Sequence, residues 1–251
     1  MDAPYYTIEG KRYARVTSII KVKRSEELEV WRGKVGNKEA NATMRRASSI
    51  GTRVHDLIEA QIKGDKVGFK KNESTEVVAC VEAFQEWVKS RKPVPLYVEK
   101  LVWDEALGYA GTIDLVEHEC ITDWKTGGRV SPEYWMQLAA YAKALNLPSI
   151  QKVRVVRLDK TLGTFEEQEK TIEELEPYWQ AFQGLLQFYK EWEQIGEQDE
   201  HSDRDSKGDA TDAEDEDKQE MAGPEVSDDR HGEDGQVRVL GARREDPLSG
   251  M

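Results

Sequence analysis

The stretch Gly111–Gly127, GTIDLVEHECITDWKTG, limits most sharply what this chain can become. It reads as two short strands around a turn, Tyr109–Glu117 and Cys120–Thr126, both rich in β-branched and apolar residues. With the turn centred on His118–Glu119, Asp114 falls opposite Asp123. Opposed positions on one face have Cβ atoms about 5 Å apart, and like charges there repel. Lys125 lies two residues beyond Asp123, so the period of two puts it on the same face. Two carboxylates and an ammonium among Ile113, Leu115, Val116 and Ile121 are a poor sheet interior. A divalent cation between the carboxylates turns the repulsion into coordination.

The flanking sequence supplies further polar groups in helical and strand contexts. From about Leu28 to Lys63 the pattern is helical with a break near Gly36–Asn41, and Met44, Ala47, Gly51, Val54, Ile58 and Ile62 form one apolar stripe. His55 and Glu59 share a face there, Glu59 being either a support for the site or a solvated surface charge, and Gly51 leaves room for a close neighbour. Alone, His55 reads as an ordinary half-buried helix histidine; with an acidic hairpin downstream, metal ligation is the better reading. A second helix over about Ser74–Arg91 looks structural, and Tyr97–Trp103 reads as a strand carrying Glu99 among apolar neighbours. Glu99 is either an edge-strand surface charge or a third carboxylate near the metal. Ser131 and Pro132 suit a helix start that places Gln137 and Tyr141 one turn apart. Upstream, Tyr5–Tyr13 reads as a small hairpin around Gly10. Arg15–Val22 is a strand or a helix start, taken as buried packing. Ile150–Leu158 and Gly163–Lys170 read as paired strands. Thr171–Glu174 offers a capping box, with Pro177 setting the helix start near Glu176.

Of the 251 residues, 34% are charged and 38% hydrophobic, which suits one ordinary domain plus an unfolded piece. The formal charge of −13 is unevenly placed: from Glu197 onward there are 19 acidic and 7 basic residues, a net of −12, leaving the first 196 residues near −1. Whole-chain charge therefore does not exclude a polyanionic partner. Apolar periodicity stops near Gly196, and the remainder cannot bury enough surface to offset its ordering entropy. The expected division is a folded domain over residues 1–195 and a disordered acidic tail over 196–251. That tail is a solvated appendage, the carrier of a protein-partner segment near Val237–Arg244, or an acidic segment that competes with a polyanion for the domain's basic side chains. Cys80 and Cys120, the two cysteines, give no disulfide framework, zinc spacing or four-cysteine iron–sulfur set. No apolar run reaches membrane-spanning length, and MDAPYYTIEGKRY lacks a signal-peptide core. A cytoplasmic, non-secreted setting without a membrane partner is the expectation.

Asp114 followed by Asp123-Trp124-Lys125 resembles the PD-(D/E)XK nuclease signature, in the variant found in RecB-type nucleases and the mitochondrial genome maintenance exonuclease. Ile113 stands where the family's name has proline. Three more matches follow the family order: GTRVH at Gly51–His55, Glu99 on the preceding strand, and Gln137 with Tyr141 on the following helix. The resemblance covers about Arg15–Leu158, and family members place a segment similar to Val16-Thr17-Ser18-Ile19 near the active site, although composition alone reads it as buried packing. The resemblance implies an α/β restriction-endonuclease-like core, a central mixed β-sheet flanked by helices. It also implies DNA as partner and substrate, a preference for exonuclease action, and a setting in recombination, repair or replication, in a bacterium or a virus-infected cell. By the same resemblance Asp114, Asp123 and Lys125 are catalytic, His55, Glu99, Asp114 and Asp123 hold the metal, and Gln137 and Tyr141 contact the substrate backbone or orient the site. The chemistry of the donors agrees: hard oxygen ligands suit Mg²⁺ or Mn²⁺, and an imidazole is accepted more readily by Mn²⁺. No side chain looks like a covalent nucleophile. The rival readings are a catalytically decayed DNA-binding domain and a protein-interaction platform with a structural ion cluster.

Overall fold

The computed structural model of the chain describes residues 4–23 and 25–208, so the expected tail beyond residue 208 lies outside the described residues. Tyr5–Ile8 (β1) and Lys11–Arg15 (β2) pair as the expected hairpin. Its turn residues Glu9 and Gly10 both take positive φ, 51° and 80°, as mirror-image hairpin turns require. The next segment is a short helix, Val16–Ile20 (α1), which buries Val16, Ile19 and Ile20 and leaves Thr17 exposed. Two helices follow, Glu26–Val35 (α2) and Asn37–Lys63 (α3), separated at Gly36 with φ 85°. Thr75–Arg91 (α4) starts on Ser74, whose hydroxyl accepts the amide of Val77.

The sheet is assembled from the remaining strands around the hairpin. Tyr97–Asp104 (β3), Tyr109–Val116 (β4) and Cys120–Lys125 (β5) form a meander. The helix Pro132–Leu145 (α5) then leads to Lys152–Leu158 (β6), parallel to β5, and Phe165–Thr171 (β7) pairs antiparallel with β6. The capping box forms reciprocally: Glu174 accepts from the Thr171 amide at 2.8 Å, and Thr171 accepts from the Glu174 amide at 3.3 Å. The last helix, Glu176–Gly208 (α6), begins next to Pro177 and runs past Gly196, where apolar periodicity ends. The result is the expected mixed sheet, seven strands with helices on both faces. α1, α5 and α6 share one core with Ile113, Ile121, Val153 and Val155; α3 and α4 share the other with Leu115, Trp124, Val156 and Leu158.

Two departures from a regular sheet shape the middle of the molecule. β3 occupies one edge of β4 along its whole length. On the other edge β2 pairs only at Tyr109 and Ala110, and β5 only at Leu115 and Val116. Gly111–Asp114 thus faces a fork between two strands. The predicted hairpin register holds, with Leu115 opposite Thr122 and Val116 opposite Ile121, but the ladder stops before Asp114 reaches Asp123. The alternation of β4 also shifts there: Tyr109 and Ile113 belong to one core, Leu115 to the other, and Val116 again to the first. β3 keeps its register on both sides of Glu99, so both strands carry the irregularity together.

The first half of α3 differs from the sequence reading. Met44 is 40% exposed and Ala47 is exposed too; the buried stripe starts at Ile50 and continues through Val54, Leu57 and Ile58. Up to Ser49 the helix runs beside α2, which buries no residue, and Arg32 donates to Asn41 Oδ1 at 3.0 Å between them. In that half only Ala40 is buried among the described residues, so the apolar spacing does not by itself secure burial.

Gly51 and Gly111 separate a merely convenient glycine from a required one. A Cβ on Gly51 would meet Thr126 Oγ1 at 3.5 Å, an ordinary contact, whereas one on Gly111 would lie 2.2 Å from the Tyr141 ring. Gly111→Ala should therefore destabilise the protein by about 1–3 kcal/mol through overpacking. Gly51→Ala should be neutral or stabilising by about 0.5–1 kcal/mol, as expected inside a helix. Urea unfolding of both variants checks this; equal effects would mean that Tyr141 does not press on β4.

Candidate active site

Trp124 is the fixed point of the site. Its indole is buried against Phe84 and Trp87, with ring centroids 5.3 and 4.8 Å away in edge-on arrangements. Because strand side chains alternate, this turns Asp123 and Lys125 to the opposite face of β5, toward α5. The Trp124 backbone is held from both sides. Its amide donates to Asp114 Oδ2 at 2.8 Å, and its carbonyl lies 3.1 Å from His55 Nε2. A carbonyl can only accept, so Nε2 carries a hydrogen and Nδ1 faces Asp114 Oδ1 at 3.5 Å. Asp114 thus ties β4 to β5 at the point where their ladder stops.

α5 completes the constellation through Gln137. Its side-chain nitrogen donates to Asp123 Oδ1 at 3.1 Å and to the Tyr141 hydroxyl at 2.9 Å, while its oxygen accepts from Lys125 Nζ at 3.1 Å. Gln137 and Tyr141 are both buried, and Tyr141 lies against Gly111. Lys125 Nζ also stands 2.7 Å from Asp123 Oδ2 as a buried ion pair. That ammonium offsets part of the cost of burying the Asp123 carboxylate, while Oδ1 accepts from Gln137.

Glu99 approaches from β3. It has φ 52° in the middle of a strand, flanked by the pairs Val98–Leu115 and Lys100–Ile113. A non-glycine residue held there costs about 1–3 kcal/mol and persists only where its surroundings enforce it. The side chains of His55, Glu99 and Asp114 each offer a ligand atom within 4.8 Å of the others. Asp123 stands outside that threesome, engaged by Lys125 and Gln137. All seven residues singled out by sequence line one cleft of about 330 Å³ in the fork of β4. The donor set suits a hard divalent cation that accepts one nitrogen.

The charges are unevenly poised. Burial pushes the Asp123 carboxyl up to about 6, with Lys125 pulling the other way. Burial also works against Asp114, yet His55, Lys125 and the Trp124 amide outweigh it and keep that carboxyl below its ordinary value. Burial, reinforced by the charge of Asp114, lifts Glu99 to about 7. Although burial opposes a charged imidazole, Asp114 prevails and raises His55 to about 9. Lys125 is likewise held protonated: burial disfavours its charge, but Asp123 and Asp114 more than compensate.

The cleft also contains residues that the sequence did not flag. Thr17, read as packing, is exposed and lines it, as do Tyr6, Arg15 and Thr112. Tyr134 holds its ring 4.9 Å from Lys125 Nζ, within cation–π range. It lies one turn before Gln137, and that helical spacing was the available signal. Glu59, left undecided by sequence, pairs with Lys63 one turn on.

No protein-family model and no curated protein matches the chain. Similar solved structures include an alkaline exonuclease (LHK-Exo) from Laribacter hongkongensis, at 15% identity and a TM-score of 0.34, covering 59% of this chain and 85% of that one. LHK-Exo in complex with dAMP gives 12% identity and a TM-score of 0.38, covering 74% and 94%. A phage related exonuclease from Haemophilus somnus 129PT gives 12% identity and a TM-score of 0.38, covering 77% and 97%. Among the described residues no helix is long and apolar enough to cross a membrane.

The poised acids set a pH dependence. Glu99 and His55 both bind protons more tightly when folded, at about 7 and about 9 against ordinary values of 4.5 and 6.5. The stability they contribute is present below their ordinary values and is lost as pH rises, through 7 for Glu99 and through 9 for His55. A cation needs these same groups deprotonated. The metal-free protein should therefore lose thermal stability between pH 5 and 9.5, and Mn²⁺ should restore more of it at pH 9 than at pH 6. Thermal unfolding with and without Mn²⁺ measures this; a Mn²⁺ effect that weakens as pH rises would contradict it.

Proposed function

We propose that this chain is a divalent-metal-dependent deoxyribonuclease of the PD-(D/E)XK type, acting as an exonuclease. The observation that carries this reading is the cluster of ligand atoms from His55, Glu99 and Asp114, all within 4.8 Å of one another, in the cleft that Asp123, Lys125 and Gln137 also line. His55, Asp114 and Glu99 would hold Mg²⁺ or Mn²⁺, with the Asp123 carboxylate beside them in the same cleft. The cation supplies Lewis-acid polarisation of a phosphoryl oxygen and a more acidic water.

The residues of the chain do the rest of the work. Lys125 carries a full charge held in place by Asp123, Gln137 and the Tyr134 ring, so its ammonium meets the negative charge that grows on phosphorus as water adds and the P–O bond breaks. Gln137 sets the spacing of Lys125 and Asp123 by bonding both, and so serves to orient the site. Tyr141 takes the second hydrogen of the same amide and fixes which way it faces. His55 presents Nδ1 because its Nε2 hydrogen is committed to the Trp124 carbonyl. DNA as substrate and the exonuclease preference follow from the resemblance of Asp114, Asp123-Trp124-Lys125, GTRVH and Gln137 with Tyr141 to that nuclease family. A decayed nuclease fits less well, because the carboxylates and the lysine are all present and connected.

Asp123→Asn and Lys125→Ala should each lower DNA hydrolysis on the order of 10²-fold or more. Asp123→Asn should also weaken Mn²⁺ binding, because it removes a ligand charge, whereas Lys125→Ala should not. Hydrolysis of labelled DNA and Mn²⁺ titration calorimetry give both readouts. Near wild-type turnover of either variant at saturating Mn²⁺ would refute the site assignment.

A further inference from the structure

Arg15 ends β2 and lines the cleft, yet the reading above leaves it unused. Its guanidinium lies over the Tyr6 ring, 4.1 Å from the centroid, and Nη1 donates a long bond of 3.4 Å to the Tyr6 hydroxyl. That hydroxyl is in turn 3.0 Å from Thr112 Oγ1. The Nε of Arg15 is buried and has no hydrogen-bond partner among the described residues. Other arginines with little exposed surface are treated differently. Arg53 pairs with Glu73, Arg154 with Glu117 and Glu169, and Arg157 with Glu166 and Asp159. Arg15 forms no such ion pair among the described residues, although three carboxylates stand in the same cleft.

A buried guanidinium N–H left unpaired is expensive, so a permanent vacancy in its bonding is a poor design unless an anion visits. The planar fork of arginine matches a phosphate, and stacking on Tyr6 sets that plane in advance. A cleft lined by Glu99, Asp114 and Asp123 repels a polyanion, and Arg15 is the cation there that no carboxylate among the described residues cancels. The Arg15 backbone registers with Ala110, and its guanidinium reaches the Tyr6 hydroxyl that contacts Thr112, two strand residues or about 7 Å short of Asp114. We propose that Arg15, steadied by Tyr6 and Thr112, is an anion subsite that grips a phosphodiester flanking the one being cut. The proposal rests on the nuclease reading and adds to it where the strand lies across the fork, running from the carboxylates toward the end of β2.

The test is a charge scan of the substrate. A single uncharged methylphosphonate is moved along an otherwise normal strand, and KM is measured in Mn²⁺ for wild type, Arg15→Gln and Arg15→Lys. For wild type, one linkage beside the cut should raise KM on the order of tenfold when neutralised, the effect of losing one charge-assisted bond. Arg15→Gln should raise KM by a similar factor on unmodified DNA, and the same methylphosphonate should then add nothing. Arg15→Lys should recover part of the loss, and Mn²⁺ affinity should stay at the wild-type level in both variants. Additive penalties, an Arg15→Gln variant with wild-type KM, or a wild-type scan without a sensitive flanking linkage would each overturn the subsite. The wild-type scan decides even if Arg15→Gln folds poorly. Wild-type protein that does not cut unmodified DNA would overturn the nuclease reading itself, whereas cutting that is indifferent to Arg15 overturns the subsite alone.

Discussion

The bond from the Trp124 amide to Asp114 is the joint on which the centre of this molecule turns. The ladder between β4 and β5 ends at Leu115 and Thr122, and without that bond the two strands would simply part. A side chain replaces a backbone partner, so the strands stay close while the fork beyond them remains open. The same residue anchors the other side of the sheet, since the Trp124 indole sits among Phe84 and Trp87 of α4 and its carbonyl receives His55 from α3. Asp123 and Lys125 are then presented to α5 by alternation alone. A replacement at Asp114 would release the Trp124 amide, unpin His55 and loosen the strand that carries the other two charges.

Placing so much charge at a buried seam is tolerable only when each group has a counterpart. Lys125 answers Asp123, His55 answers Asp114, and Gln137 bonds both Asp123 and Lys125. Two polar atoms of the network are held less completely among the described residues, the Oδ2 of Asp123, which only the Lys125 ammonium faces, and the Nε of Arg15. Unsatisfied buried polar atoms are rare in folded proteins. Here one is an anion's oxygen and the other a cation's nitrogen, and both belong to residues lining one cleft. That pairing is what a site for a metal and a phosphate would require. The elevated Glu99 and Asp123 carboxyls show the same tension, since burial keeps them close to protonation at neutral pH.

The sequence revealed local features well and long-range ones poorly. The hairpin register, the capping box of Thr171 and Glu174, and the turn at Gly10 were legible because each depends on residues close in the chain. His55, Glu99 and Gln137 were grouped by motif order, information that spacing alone lacked, and they line one cleft. The left-handed φ of Glu99 and the shift of alternation in β4 were not legible, since both arise from pairing with a neighbouring strand. Gly51 drew attention as a close-approach glycine, whereas Gly111, pressed by Tyr141 from the distant helix α5, is the one that is required. The exposed first half of α3 shows the limit of periodicity: it reports a face able to be buried, not whether it is.

The central claim is that this cleft couples a divalent cation to DNA hydrolysis from an end. Incubating the purified protein with end-labelled linear DNA and with closed circular DNA, in Mg²⁺, in Mn²⁺ and in excess chelator, tests it most directly. The account expects labelled mononucleotides or short products from the linear substrate in either metal, none in chelator, and an intact circle throughout. Linear DNA left intact in both metals, or degraded equally well in chelator, would contradict it.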